Sequence, residues 1–178
     1  MFQKVRMLDY KVTDSITKIQ CRFLDRLMVL STYAGTGAFI WWIALAIPFV
    51  ISKTYRNVGI ILIVTLGINY LIGEVLIKKS VGRDRPSTMI DQGEMKINKP
   101  KDHSFPSGHT ASSFCAFAVT FWNCPAYFWI PALVAACLIS FSRLYLRVHY
   151  LSDILGGLVL GLLDGSLISL FFNKVVFV

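Results

Sequence analysis

Three short segments of this chain hold side chains whose types and spacing suit one task, the gripping and cleaving of a phosphate. The first is Lys78-Lys79-Ser80-Val81-Gly82-Arg83-Asp84-Arg85-Pro86, the second Pro106-Ser107-Gly108-His109, and the third runs from Ser142-Arg143 through His149 to Asp153. Together they supply three fixed cations (Lys78, Arg85 and Arg143), two histidines (His109 and His149) and a carboxylate, Asp153, placed to orient one of them. Such a set can hold a phosphate, attack it and protonate its leaving group. It lies between strongly apolar segments, which points to a phosphate carried by a lipid.

Each segment has its own chemistry. Lys78 and Arg85 are seven residues apart; on a continuing helix that is about two turns, and the two side chains share a face. Gly82 interrupts the continuation and Pro86 ends it. Arg brings a planar fork for phosphate oxygens and Lys a mobile point charge. Glu74, one turn before Lys78, can pair with it and hold it. Taken alone, the pair reads as an ordinary basic flank at a helix end.

Ser107 is a good N-cap and Pro106 blocks backward extension, so a helix is expected to open at Gly108. Its free backbone N–H groups form an anion site, and Gly108 lets the backbone approach a ligand closely. His109 falls in the first turn, where an adjacent phosphate favours the imidazolium that a general acid needs. A cap beside a solvent-facing histidine accounts for the tetrapeptide as well. In the third segment His149 and Asp153 share a helix face at i, i+4. Asp153 can accept from one ring nitrogen and leave the other as an unprotonated nucleophile. The same pair could also simply tie two elements together.

These groups need elements to position them, and the composition says which. Hydrophobic residues make up 55% of the 178 residues and charged residues 16%, with mean hydropathy +0.60. Soluble domains carry about 25% charged residues. The chain is read as one domain, 1–178, an all-α integral membrane bundle. Five apolar segments are candidate spans: 35–51, 58–77, 109–122, 126–142 and 151–172, the third being short for the roughly 20 residues a span needs.

Residues 1–32 differ. Val5, Leu8, Val12, Ile16, Ile19, Phe23, Leu27 and Leu30 recur at three- or four-residue spacing among basic residues, the stripe of an amphipathic helix. It fits a helix lying in the membrane interface and equally one packed on the protein's own surface. The last span carries Gly157, Gly161 and Gly165, continued by Ser169, in a row that Asp153 begins. That small-residue face is expected to pack closely into the bundle. Asp164 near the middle of this span is costly there; a hydrogen bond to a neighbouring helix would account for it, and Asn69 and Glu74 are read with the same caution. The four cysteines lack metal-ligand spacing and suit small buried positions.

Topology joins the segments. The first two bracket the 78–108 loop, and two spans later the third occupies the next loop on the same side. Lys78, Arg85, His109, Arg143, His149 and Asp153 therefore meet at one membrane face.

At this point the chain resembles the type 2 phosphatidic acid phosphatase superfamily, and within it the bacterial membrane lipid-phosphatase branch. The family signature K-x6-RP, PSGH and SR-x5-H-x3-D is matched here by Lys78 to Arg85-Pro86, by Pro106 to His109, and by Ser142-Arg143 to His149 and Asp153. The resemblance implies hydrolysis of a lipid phosphate or pyrophosphate without metal or cofactor. It implies His149 as nucleophile, His109 as general acid and Asp153 as the group orienting His149, with Lys78, Arg85, Ser107, Gly108 and Arg143 holding the phosphate. The expected partners are the lipid substrate and the bilayer, with no nucleic acid and no obligate protein partner.

Many membrane members have six spans; this chain shows five, with the amphipathic segment in place of the first. The resemblance implies a multi-pass cell-membrane protein with its site outside the cytoplasm. The basic residues point the other way: six lie in 1–32, seven in 78–108 and two in 143–150, against Lys53, Arg56 and Lys174 on the opposite face, which by charge alone makes the site side cytoplasmic. We follow the resemblance. Undecaprenyl pyrophosphate leads as substrate; phosphatidylglycerophosphate or phosphatidate is the alternative. Lys96, Lys99 and Lys101 suit a multiply charged headgroup, or simply a solvated loop, and His103 has no role that spacing assigns. A non-catalytic lipid-binding or transport protein would not need the His149–Asp153 pair. A vanadium haloperoxidase shares the motifs but needs no membrane bundle.

Overall fold

The structure is a computed structural model that describes residues 2–176, so Met1, Phe177 and Val178 of the expected 1–178 domain lie outside the described residues. The regular elements are all helices, with no strand among the described residues. Helix α1 spans Phe2–Thr17. Then follow α2 (Arg22–Ile51), α3 (Arg56–Val81), α4 (Gly108–Asn123), α5 (Ala126–Tyr145) and α6 (Leu151–Val176). Four of these, α2, α3, α5 and α6, are long and apolar enough to cross a membrane.

The third expected span, α4, has 16 residues and falls short of that length. It is instead the most enclosed helix, with Ala111, Cys115, Ala116, Ala118 and Val119 nearly inaccessible. Its start is fixed at the depth of the motifs by the Ser107 cap, whose Oγ accepts from Thr110 N–H, as expected.

The stripe over 1–32 does not form one helix. It breaks at residues 18–21, where Lys18 N–H and Ile19 N–H turn back to Ser15 O and Ile16 O. Tyr145 at the end of α5 takes over the freed groups: Gln20 Nε2 donates to its carbonyl and Cys21 N–H to its hydroxyl. The second half of the stripe then belongs to α2, so the first span begins at Arg22 rather than near residue 35. Helix α1 packs on the protein's own surface along one side and leaves the other side open. Ile16 and Asp9 are buried against the bundle, while Val5, Met7 and Leu8 stay exposed.

Helix α2 is broken at Gly37 and Ala38, both in the left-handed region with φ 58°, and resumes to Ile51. Its second half packs Trp41, Leu45 and Phe49 against Ile61, Leu62 and Leu66 of α3 and Val119 of α4. A second apolar cluster joins Ile16 and Met28 to Leu144, Tyr145, Val148 and Ile154 beneath α1. The outer surface is apolar: Ile47, Leu71, Val134, Val159 and Leu167 are all exposed, as a lipid-facing surface requires.

The glycine row of α6 faces α4. An added Cβ at Gly157 would lie 2.5 Å from Ser107 O, at Gly161 2.2 Å from Ala111 O and at Gly165 2.7 Å from Cys115 O. The backbones meet with no room for a side chain, as the four-residue spacing predicts. Ser169 continues the row and is buried. Asp164 accepts from Asn69 Nδ2 on α3 at 2.8 Å, the interhelical bond expected for it.

Candidate active site

The motif residues converge at one end of the bundle. Lys78, Arg85, Gly108, His109, Arg143 and His149 line a single cavity of about 710 Å³. Ser107 and Asp153 stand fully buried behind them. The cavity continues between α2 and α3 along Gly35, Trp42, Leu66, Gly67 and Tyr70, so a polar end opens into an apolar passage. The break at Gly37 and Ala38 forms part of that wall.

Lys78 and Arg85 do not share a helix face. Helix α3 widens over 71–77, where Lys78 N–H bonds back to Gly73 O, and stops at Gly82, which takes φ 59°. This left-handed residue ends the helix as glycine commonly does. Arg85 follows in extended backbone, and the loop folds it back under the site. Both cations are buried. Lys78 Nζ donates to both oxygens of Glu74 at 2.7 Å, the expected i, i+4 pair, and to Asp102 Oδ2 at 2.7 Å. Arg85 donates from Nη2 to Asp102 Oδ1 at 3.0 Å and to His103 O at 3.0 Å, from Nε to Asp102 O at 2.8 Å, and from Nη1 to Val148 O at 2.8 Å. Asp102 thus bridges the two cations. Burial works against its charge, but the Lys78 ammonium and the Arg85 guanidinium outweigh that and hold its pKa at about 2.

Arg143 lies buried at the end of α5 and donates to Thr32 Oγ1 on α2. Its Nε is buried with no protein partner, a donor left free in the cavity wall. Gly108 has a role the sequence did not reveal: an added Cβ would lie 2.1 Å from Glu74 Oε1. The closely approaching group there is the carboxylate that holds Lys78. His109 Nε2 lies 3.2 Å from Thr32 O and 3.4 Å from Thr36 Oγ1, facing α2 at its break.

His149 is 1% exposed. Arg85 Nη1 sits 2.9 Å from its Nε2. A guanidinium only donates, so Nε2 is the unprotonated acceptor and Nδ1 carries the proton. Nδ1 stands 3.5 Å from Asp153 Oδ2, within ion-pair range but without a formed hydrogen bond. Such contacts commonly tighten only when substrate is bound. Burial first, then the charges of Arg85, Arg143 and Lys78, push the His149 pKa well below the usual histidine value. Asp153 is held on every side: Oδ2 accepts from Ser104 Oγ and from Tyr150 N–H, and Oδ1 from Arg83 Nη1 at 2.7 Å. It therefore also caps α6.

An unprotonated ring nitrogen at a cavity floored by cations, covered by one of those cations until a phosphate draws it away, a second histidine on the same wall and a buried carboxylate behind the first can together perform in-line attack on a phosphate. The PAP2 superfamily model matches residues 58–177. This chain belongs to the PAP2 superfamily. It is 33% identical over 143 residues to an undecaprenyl-diphosphatase of Sulfolobus acidocaldarius, covering 80% of this chain and 68% of that protein. It is 29% identical to phosphatidylglycerophosphatase B of Bacillus subtilis, covering 96% and 86%. Among solved structures, the transmembrane PAP2-type phosphatidylglycerolphosphate phosphatase of Bacillus subtilis superposes with TM-score 0.79 at 27% identity, over 97% of this chain and 88% of that one. The PAP2 chain described here is thus a multi-pass membrane lipid phosphatase built as a helical bundle.

Several residues that furnish this PAP2 site carry no local signal in the sequence. Asp102 sits in a loop with no periodicity. Ser104 and Thr32 are ordinary polar residues until the fold brings them to Asp153 and Arg143. Arg83 lies inside the first segment, but no spacing there assigns it a partner. Of the loop lysines, Lys96 pairs with Asp25 at 2.8 Å and Lys99 donates to Ile90 O; Lys101 is exposed. His103 gives its carbonyl to Arg85.

Proposed function

We propose that this PAP2 protein hydrolyses a lipid phosphate or pyrophosphate through a phosphohistidine on His149, with undecaprenyl pyrophosphate as the leading substrate. The observation that carries the reading is the shared cavity: the cations and both histidines line its polar end, and an apolar passage continues from it between α2 and α3. A polyprenyl or acyl chain fits the passage while its phosphate meets the motif residues.

In this reading the substrate phosphate displaces Asp102 and takes up Lys78, Arg85 and Arg143, including the free Nε of Arg143. The α4 N-terminus at Gly108 and His109 faces the same charge, with Ser107 capping it from behind. These groups stabilise the equatorial oxygens, the main requirement of phosphoryl transfer. As Arg85 Nη1 turns from His149 to the phosphate it frees the Nε2 lone pair, which attacks phosphorus, forming an N–P bond as the bond to the leaving oxygen breaks. His109 gives that oxygen its proton. Asp153 holds Nδ1–H and offsets the charge that grows on the ring. Water, deprotonated by His109, then attacks the phosphohistidine, so inorganic phosphate leaves and His149 is restored. Undecaprenyl pyrophosphate would yield undecaprenyl phosphate and phosphate, one water being consumed. The chemistry uses no metal.

A second substrate reading, phosphatidylglycerophosphate, is favoured by the likeness to the Bacillus subtilis enzyme over nearly the whole chain. The headgroup chemistry is the same. Phosphate release in detergent with EDTA, from undecaprenyl pyrophosphate, phosphatidylglycerophosphate and phosphatidate in parallel, separates them. The proposal expects turnover that survives EDTA, is fastest on undecaprenyl pyrophosphate and is lost in His149→Ala. No turnover on any of the three would refute it. The reading puts the site on the extracytoplasmic face, as the family resemblance implies. A membrane-impermeant thiol reagent on Lys101→Cys, with the native cysteines removed, should label intact cells; labelling only after lysis would reverse the orientation.

A further inference from the structure

Beneath the His149–Asp153 pair a second set of charges continues away from the cavity. Asp153 Oδ1 accepts from Arg83 Nη1 at 2.7 Å. The other arm of Arg83, Nη2, donates to Asp9 Oδ2 at 2.8 Å. Asp9 lies on α1 and is 1% exposed. Its carboxylate also accepts from Ser152 N–H at 2.9 Å and Ser152 Oγ at 2.7 Å, and Ser152 Oγ receives Arg83 Nη1 at 2.7 Å. The guanidinium lies 4.2 Å over the Tyr150 ring, which Tyr10 of α1 meets edge-on. Three N–H donors of the planar fork are held by two carboxylates and a hydroxyl, and the guanidinium rests on an aromatic face. No lysine could reproduce that geometry.

We infer that Arg83 and Asp9 are positioning residues of the reaction: Arg83 fixes and partly neutralises Asp153, and Asp9 fixes and partly neutralises Arg83. This rests on His149 being the nucleophile. Helix α1, which lies outside the matched family region, thereby becomes part of the catalytic apparatus.

His149, Asp153, Arg83 and Asp9 form a series in which each member faces one of opposite or complementary kind. A lone buried carboxylate behind His149 would strongly favour its imidazolium, which cannot attack. Arg83 offsets that effect while pinning Oδ1, so that Oδ2 is left directed at Nδ1. Asp9 in turn limits how far Arg83 withdraws charge from Asp153. Partners of this kind behind a ligating histidine are worth about 10–100-fold where they have been removed in metal sites, and the same positioning logic applies here.

The series makes predictions of opposite sign. The other charged groups facing His149 are Arg85, Arg143, Lys78 and Asp102, with His109 nearby; those facing Arg83 are Asp9, Asp153 and Tyr150. All but the substituted residue stay in place in each variant. The profile of kcat/KM against pH reports the free enzyme, and its acid limb follows His149. Arg83→Gln removes a positive charge, favours the imidazolium and moves the limb to higher pH. Asp9→Asn leaves Arg83 less compensated and moves the limb to lower pH. Arg83→Lys keeps the charge, leaves the limb near its wild-type position and still loses kcat, because the fork is gone. We expect kcat to fall about tenfold or more in Arg83→Gln.

The experiment is this profile for wild type and the three variants in detergent, on whichever lipid of the panel above turns over fastest. Opposite displacements of the limb support the proposal. An anchor that merely held α1 would lower stability without moving the limb, so unmoved limbs, or limbs displaced in the same direction, overturn it. If Arg83→Gln does not fold, the isosteric Asp9→Asn still decides: a limb that stays put or moves up overturns the proposal. Failure of the underlying reading is distinguishable, because it would show as full activity in His149→Ala.

Discussion

Arg85 Nη1 donates to His149 Nε2 across 2.9 Å, so the cation that should grip the phosphate also marks which ring nitrogen is free to attack it. Arginine has no acceptor atom, and the contact is possible only when Nε2 is unprotonated. The proton then sits on Nδ1, facing Asp153 Oδ2. The tautomer required for attack is set by the protein before any substrate arrives.

Removing the orienting carboxylate should therefore cost most of the rate. Asp153→Asn leaves the volume nearly unchanged but can present an amide N–H to His149 and favour the wrong tautomer. We expect kcat to fall roughly 10⁴-fold, as for the equivalent change in a serine protease triad. Steady-state phosphate release checks this, and a loss below tenfold would remove Asp153 from the mechanism.

Asp102 occupies the cations that the substrate needs. Asp102→Asn removes a charge-assisted contact worth about 1.5–3 kcal/mol to each partner. Inhibition by orthovanadate should tighten by about tenfold or more, and KM for the lipid should fall with it. An unchanged or weaker inhibition constant would mean that Asp102 helps to hold the phosphate instead of competing with it.

The pH profile has a definite sign. Burial and the surrounding cations depress the His149 pKa, so the neutral nucleophile persists below the ordinary histidine value of about 6.5. The acid limb of kcat/KM should lie below that value, with activity lost as the pH falls through the depressed pKa. Once a phosphate dianion is bound the imidazolium is favoured, so the limb of kcat should lie at higher pH than that of kcat/KM. A kcat/KM limb at or above about 6.5 would contradict the electrostatics of the site.

Close packing of α6 on α4 predicts a stability effect. Gly161→Ala sets a methyl group 2.2 Å from a backbone oxygen, Ala111 O, which cannot rotate away. The cost should be about 1–3 kcal/mol, read as a lower unfolding temperature in detergent. Gly67→Ala on α3 meets nothing within 4 Å and should be neutral or mildly stabilising. Equal effects at the two positions would remove the close-packing argument.

What could be read in advance, and what could not, follows from the range of the interactions. Glu74–Lys78 was legible because the pair lies within one helical repeat, whereas His149 and Asp153 do not share a helix face: His149 precedes α6, whose extended N-cap is Tyr150, and the turn before the helix brings its ring to Asp153. The glycine row was legible because small residues at a four-residue period have few other uses in an apolar helix. Arg83 and Asp9 are 74 residues apart, and nothing local to Asp9 distinguishes it from the other charges of an amphipathic stripe. The early start of α2 was hidden by Arg22, Asp25 and Arg26, whose charges lower the local hydropathy. Asp25 is in fact paired with Lys96 and Tyr145. The shortness of α4 was visible in the sequence, but not its place at the centre of the bundle.

The central claim is a covalent phosphohistidine on His149, and the most direct test is to trap it. Wild type and His149→Ala would be mixed with undecaprenyl pyrophosphate labelled in its terminal phosphate, with phosphatidylglycerophosphate in parallel, quenched in alkali and digested. The account predicts label on wild-type protein that survives alkali, is lost in acid, maps to the peptide containing His149 and is absent from the variant. Turnover of either lipid with no label on wild type, or label on another residue, would contradict it.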